Sequence, residues 1–93
     1  MIQTPLVIVT PVYEDTESFY QLAQKIESIY QNQATLVAVE DGSLHHLIDV
    51  KQCPSTMSLH VLRLKRNVGH QKAIAIGLSY LEDKLSNASN VVV

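Results

Sequence analysis

With 93 residues, a formal net charge of −2 and one cysteine, the chain is tightly bounded. The length supports a single small domain, and the weak negative charge gives no reason to expect nucleic acid or an anionic membrane as partner. Cys53 alone excludes an intrachain disulfide, no stretch reaches the roughly 18 apolar residues of a membrane span, and no basic segment precedes the first apolar run. The expectation is a soluble chain in a reducing compartment, the cytoplasm.

Leu6–Thr10 is a continuous apolar, β-branched run closed by Pro11, the pattern of a strand buried on both faces. Asp15 or Thr16 is placed to cap a helix, and Phe19, Leu22, Ala23, Ile26, Ile29 and Tyr30 then keep the helical period. Leu36–Val39 predicts a second strand. Residues 44–58 carry little periodicity; one helical turn around His45–Val50 and a loop at Cys53–Pro54–Ser55 are expected. Leu59–Leu64 predicts a third strand. A long helix is expected from Gly69 to Leu85, burying His70, Ala73, Ile74, Gly77, Leu78, Leu81 and Leu85. Residues 86–90 break it, and Val91–Val93 opens a fourth strand. Strands alternating with helices specify a Rossmann-like α/β fold: a parallel sheet in the order 3-2-1-4 with right-handed crossovers and helices on both faces.

Three polar clusters each come directly after a strand: TPVYED (Thr10 to Asp15), EDGS (Glu40 to Ser43) and KRNVGHQK (Lys65 to Lys72). In an open parallel sheet, ligands bind beyond the carboxyl ends of the strands, so the three loops point to one site. Each cluster also has a plain structural reading. Asp41 offers a carboxylate to an imide N–H or a sugar hydroxyl, yet Asp-Gly-Ser is ordinary turn chemistry, with Gly42 turning the chain and Ser43 capping the next segment. Tyr13 has a flat face for stacking a base, while Glu14 and Asp15 either contact a ligand or complement the start of the first helix. Lys65, Arg66 and Lys72 flank a helix opened by Gly69, whose N–H groups suit phosphate; the alternative is a solvated basic face. One glycine is not the spaced set of a dinucleotide or Walker loop. His45 and His46 diverge by about 100° on a helix and His60 is isolated, so a zinc site is not expected.

The succession P-V-Y-E-D, V-E-D-G-S, L-K-R-N-V-G-H-Q-K-A-I-A-I-G-L and V-V-V resembles the N-terminal half of family 2 glycosyltransferases, whose nucleotide-sugar-binding fold is called GT-A. The N-V-G-H-Q stretch is most similar to the branch that transfers sugars to polyprenyl phosphates. The resemblance covers essentially the whole chain. It implies that Pro11, Tyr13 and Asp15, with Glu14 as the alternative acid, line a uracil or guanine pocket. It also implies that Val39 and Asp41 contact base and ribose, and that Asn67, Gly69 and Lys72 lie on the nucleotide side of the third loop. The implied ligand is a UDP- or GDP-linked sugar, and the implied setting is cell-envelope polysaccharide synthesis in the cytoplasm or at the cytoplasmic face of the membrane.

Three departures from the family pattern stand out. Glu14-Asp15 replaces the usual Asn-Glu, Glu40 replaces the first aspartate of D-D-G-S, and Leu44 and His45 replace polar residues. In the family, the fourth strand leads into an Asp-x-Asp motif that holds Mg²⁺ or Mn²⁺ against the diphosphate, and Val93 falls about where that motif would begin. The resemblance therefore implies that residues 1–93 are the donor-binding portion of an inverting, metal-dependent glycosyltransferase. No catalytic residue or metal ligand is expected within the chain, and no sugar transfer by the chain alone. Membrane contact is expected only through further C-terminal segments or a lipid acceptor. Two other readings stay open: a small flavodoxin-like binding or regulatory module without transferase activity, and a homodimer paired through a bare sheet edge.

Overall fold

The computed structural model describes residues 2–86 and 89–93. Four strands and two α-helices succeed one another as β1 (Leu6–Val12), α1 (Thr16–Tyr30), β2 (Ala34–Glu40), β3 (Ser58–Arg63), α2 (His70–Leu81) and β4 (Asn90–Val92). Every strand pairing is parallel and the sheet order is β3-β2-β1-β4, the order expected from the alternation of elements. The chain is thus an α/β fold with a four-stranded parallel sheet.

β2 is buried along its whole length because both its faces are covered. Leu36 and Ala38 pack toward α1, whereas Val37 and Val39 pack toward α2. β1 divides its side chains in the same way, with Val7 and Val9 toward α2 and Leu6, Ile8 and Val12 toward α1. This double burial is why both strands read as unbroken apolar runs. On α1, Phe19, Ala23 and Ile26 form the buried stripe. Burial of a side chain such as Phe19 contributes about 1.5–3 kcal/mol. Ile29 and Tyr30 share the stripe's period but lie in the last turn, uncovered by the sheet, and are exposed. α2 sits closer to its face. A Cβ at Gly77 would lie 2.8 Å from Val9 Cγ1 and 2.9 Å from Val39 Cγ2, so the glycine lets the helix backbone settle onto those methyls.

Several boundaries differ from expectation, each for a physical reason. β1 runs through Pro11 to Val12 instead of ending before it. The Val12 carbonyl accepts the Asp41 N–H on the β2 side, so the nitrogen of Pro11 faces the other way. On that side β4 pairs with β1 only as far as Ile8, and the proline forfeits no ladder bond. The helical turn expected around His45–Val50 is absent: residues 44–49 are irregular and only Val50–Gln52 forms a short 3₁₀ turn. Backbone N–H groups in that segment bond to side chains from elsewhere, which removes the helical ladder. α2 stops at Leu81, not Leu85. Beyond it the chain pairs with the N-terminal segment, through Ile2 N–H to the Lys84 carbonyl (2.6 Å) and Ser86 N–H to the Ile2 carbonyl (3.2 Å). His70 and Leu78, expected on the buried side, are exposed. The break expected over 86–90 includes residues 87 and 88, which lie outside the described residues.

Candidate functional site

All three polar clusters reach the carboxyl rim of the sheet, and there the structure uses their acids in an unexpected way. Glu14 adopts a left-handed backbone (φ 51°). Its N–H donates to Ser43 Oγ (2.9 Å), so Ser43 caps the neighbouring loop and not the residues after it in the chain. The carboxylate of Glu14 then accepts the N–H groups of Leu44 (2.9 Å), His45 (3.0 Å) and His46 (2.8 Å). These bonds, led by that of Leu44, hold the Glu14 carboxyl at a pKa of about 2 despite its partial desolvation.

Glu40 is 1% exposed and grips the far end of the same loop. It accepts the Ile48 N–H (2.9 Å) and pairs with Arg63 Nη1 (2.6 Å), while Arg63 Nη2 donates to the Ile48 carbonyl (2.6 Å). The Asp49 N–H donates to Tyr20 Oη on α1 (2.9 Å). Five backbone N–H groups between Leu44 and Asp49 are thus satisfied by three side chains.

Asp41, also 1% exposed, holds the third loop. Its Oδ1 accepts the Val68 N–H (2.8 Å), and its Oδ2 accepts the Gly69 N–H (3.0 Å) and Asn67 Nδ2 (3.1 Å). Gly42 makes this contact possible. Its φ is 76°, and a Cβ there would lie 2.2 Å from Asn67 N and 2.3 Å from Arg66 C, both backbone atoms. The turn between β2 and the 44–49 loop is therefore pressed directly against the segment leading into α2.

An open cleft of about 290 Å³ lies beside these latches, lined by Thr10, Pro11, Val12, Tyr13, Asp15, Ser18, Phe19, Leu22 and His70. The connection from β1 leads to β2 on one side, and β3 returns through α2 to β4 on the other, so strand order reverses between β1 and β4. Ligands in open parallel sheets bind at such a reversal. Tyr13 is 48% exposed, which leaves ring surface for stacking. Asp15 caps α1 through Oδ1, which accepts the Ser18 N–H at 3.3 Å, and Oδ2 makes no hydrogen bond among the described residues. At the other wall, the N-cap of α2 is Gly69, which supplies no side-chain cap. The Asp41 carboxylate takes the Gly69 N–H, while the N–H groups of His70, Gln71 and Lys72 make no hydrogen bond among the described residues, and the Lys72 side chain is exposed in the same turn.

Of the residues singled out in the sequence, Pro11, Tyr13 and Asp15 share the cleft. Asn67, Gly69 and Asp41 form the latch behind it, and Glu14 turns toward the 44–46 loop. The side chain of Val39 is fully buried against α2 and does not reach the rim. Sequence reasoning placed His70 in the core, whereas it lines the cleft; its position directly after a glycine at the helix start was the available signal. Glu40, Arg63 and Tyr20 were missed as loop anchors, since their partners are 8, 15 and 29 residues distant.

A larger recess of about 530 Å³ lies at the opposite edge, where Thr4, Thr35, Ser58, His60, Tyr80 and Lys84 contribute to its wall. Thr4, Thr35 and Ser58 form a hydroxyl chain (2.6 and 2.9 Å), and His60 Nδ1 bonds Tyr80 Oη at 2.9 Å. Burial and the Lys84 ammonium lower the His60 pKa. No sequence-predicted site residue lines this recess, and it sits at the amino ends of the strands. The rim cleft is therefore the better candidate despite its smaller volume. No helix among the described residues is long and apolar enough to cross a membrane. Comparison with protein-family models, curated proteins and solved structures returns no match.

Proposed function

We propose that the chain is the nucleotide-diphosphate-sugar-binding part of a family 2 glycosyltransferase with the GT-A fold, acting on an acceptor such as a polyprenyl phosphate. One observation carries this reading: the exposed ring of Tyr13 and the unbonded oxygen of Asp15 share a switch-point cleft with His70, the first residue of α2. Tyr13 stacks on the base, and Asp15 Oδ2 accepts an imide or amide N–H from it. The first N–H groups of α2, with Lys72, meet phosphate. The cleft is near the lower end of the roughly 300–1,000 Å³ usual for ligand sites, a size suited to the nucleoside end of such a donor. Asp41 serves as a positioning residue that fixes the 67–69 segment.

The residues present do not fit the divalent metal that this reading implies. Among the described residues, no three His, Cys, Asp or Glu side chains gather to hold an ion. The rim carboxylates of Glu14, Glu40 and Asp41 are already engaged by N–H donors and by Arg63. The role proposed for these 93 residues is donor binding.

Calorimetric titration with UDP and with GDP tests the proposal and identifies the base. Binding of one of them, weakened about tenfold by Tyr13→Ala through loss of stacking, is the expected result. No binding of either nucleotide, or binding indifferent to Tyr13→Ala, would overturn it and favour a binding module of another kind.

A further inference from the structure

The segment that the rim acids clamp has a feature that donor binding does not use. Leu44, Leu47 and Val50 are 76%, 54% and 54% exposed, while Ile48 between them is buried. Here the N–H groups of residues 44, 45, 46, 48 and 49 are held by Glu14, Glu40 and Tyr20, which fixes the loop with those side chains outward.

Charge is distributed to match. Residues 44–66 contain four bases, Lys51, Arg63, Lys65 and Arg66, against one acid, Asp49, in a chain whose formal charge is −2. Arg63 is paired with Glu40, whereas Lys51, Lys65 and Arg66 are exposed and form no ion pair among the described residues. The Lys65–Arg66 turn adjoins the loop, because Gly42 packs against the Arg66 backbone and Arg63 bonds the Ile48 carbonyl.

We propose that the 44–51 loop and the Lys65–Arg66 turn form a docking surface for an anionic lipid bilayer. Leu44, Leu47 and Val50 enter the interface, and Lys51, Lys65 and Arg66 meet the headgroups. Two physical arguments favour lipid over a protein partner. Separate apolar side chains protruding from a loop need no matching cavity in a fluid surface. The N–H groups of residues 44, 45, 46, 48, 49 and 51 are also satisfied from within the protein, which lowers the cost of placing this irregular backbone at the interface. Each Lys or Arg near an anionic surface adds about fivefold to partitioning. The basic patch is masked in the whole-chain charge, which is why the net value alone pointed away from membranes. This surface stands independently of the nucleotide reading.

Vesicle co-sedimentation of the 93-residue chain is the test, using phosphatidylcholine vesicles with and without phosphatidylglycerol. Partitioning onto the phosphatidylglycerol vesicles and weaker association with phosphatidylcholine alone are expected. The double variant Leu44→Ser/Leu47→Ser should lose about tenfold or more, and Lys65→Ser/Arg66→Ser roughly twentyfold. Thermal unfolding should be unchanged in both, since all four side chains are exposed; Val50→Asn gives an independent check of the apolar contribution. Absence of binding to anionic vesicles would overturn the proposal. So would vesicle binding unaffected by the leucine substitutions, which would mark general attraction to polyanions; heparin binding serves as the comparison.

Discussion

Replacing Gly42 by alanine tests the contact on which the rim depends. The backbone there has φ 76°, and the left-handed region costs an L-residue about 1–2 kcal/mol. The new Cβ would also meet Asn67 N at 2.2 Å, Arg66 C at 2.3 Å and Arg66 Cα at 2.8 Å. All three are backbone atoms, so no side-chain rotation relieves the overlap. The segment they belong to is tied down by the bonds of Asp41 to Val68 and Gly69. Overpacking of this kind costs about 1–3 kcal/mol. The two effects together remove about 2–5 kcal/mol, a large share of the roughly 5–15 kcal/mol stability of a small domain. At about 4–8 °C per kcal/mol for a chain of this size, Tm falls by at least about 8 °C. Gly69→Ala provides the comparison: its backbone (φ 93°, ψ 157°) lies in a region nearly reserved for glycine and costs about 1–3 kcal/mol, but nothing lies within 4 Å of the added Cβ, so no overlap adds to that cost. Urea and thermal unfolding monitored by circular dichroism should show the larger loss for Gly42→Ala. Amide exchange should show lost protection at Val68 and Gly69 in that variant. Equal losses in the two variants, with Val68 protection retained in Gly42→Ala, would refute the reasoning.

Glu14 should make stability depend on acid pH. Its folded pKa of about 2 lies below the ordinary 4.5, so its contribution is complete above about pH 4.5 and is lost as pH falls through about 2. Glu14→Gln should lower the urea midpoint near neutrality and flatten its decline across that window; an unchanged slope would count against the clamp. Arg63→Met should cost about 2–3 kcal/mol, because it strands the buried Glu40 carboxylate, the loss being moderated by the half-exposed position of Arg63. The double variant Glu40→Gln/Arg63→Met should recover part of that stability, since Gln still accepts the Ile48 N–H, and a double variant no better than Arg63→Met would contradict the pairing.

The sequence by itself determined the features that short-range patterning controls. The apolar runs at residues 6–10 and 36–39, the helical spacing of Phe19, Ala23 and Ile26, and the strand–helix alternation were enough for a parallel sheet in the observed order. They suffice because strands buried on both faces and helices buried on one leave different periods in the chain. The same patterning located the rim clusters and brought Pro11, Tyr13 and Asp15 toward one cleft, since position after a strand fixes the edge of the sheet that a residue occupies.

Tertiary structure alone decided what the charged side chains do there. Glu14 meets N–H groups 30 to 32 residues away, Asp41 meets the 67–69 segment 26 to 28 residues away, and Glu40 meets Arg63 across β2 and β3. A carboxylate reads alike in sequence whether it faces a ligand, a helix start or a distant loop, because the choice depends on which donors folding delivers to it. The same holds for residues 44–49, whose helical expectation failed once their N–H groups found acceptors in other elements. It holds also for Leu81, where the helix yields to pairing with Ile2. Local pattern specified the scaffold, and long-range hydrogen bonding set the shape of its rim.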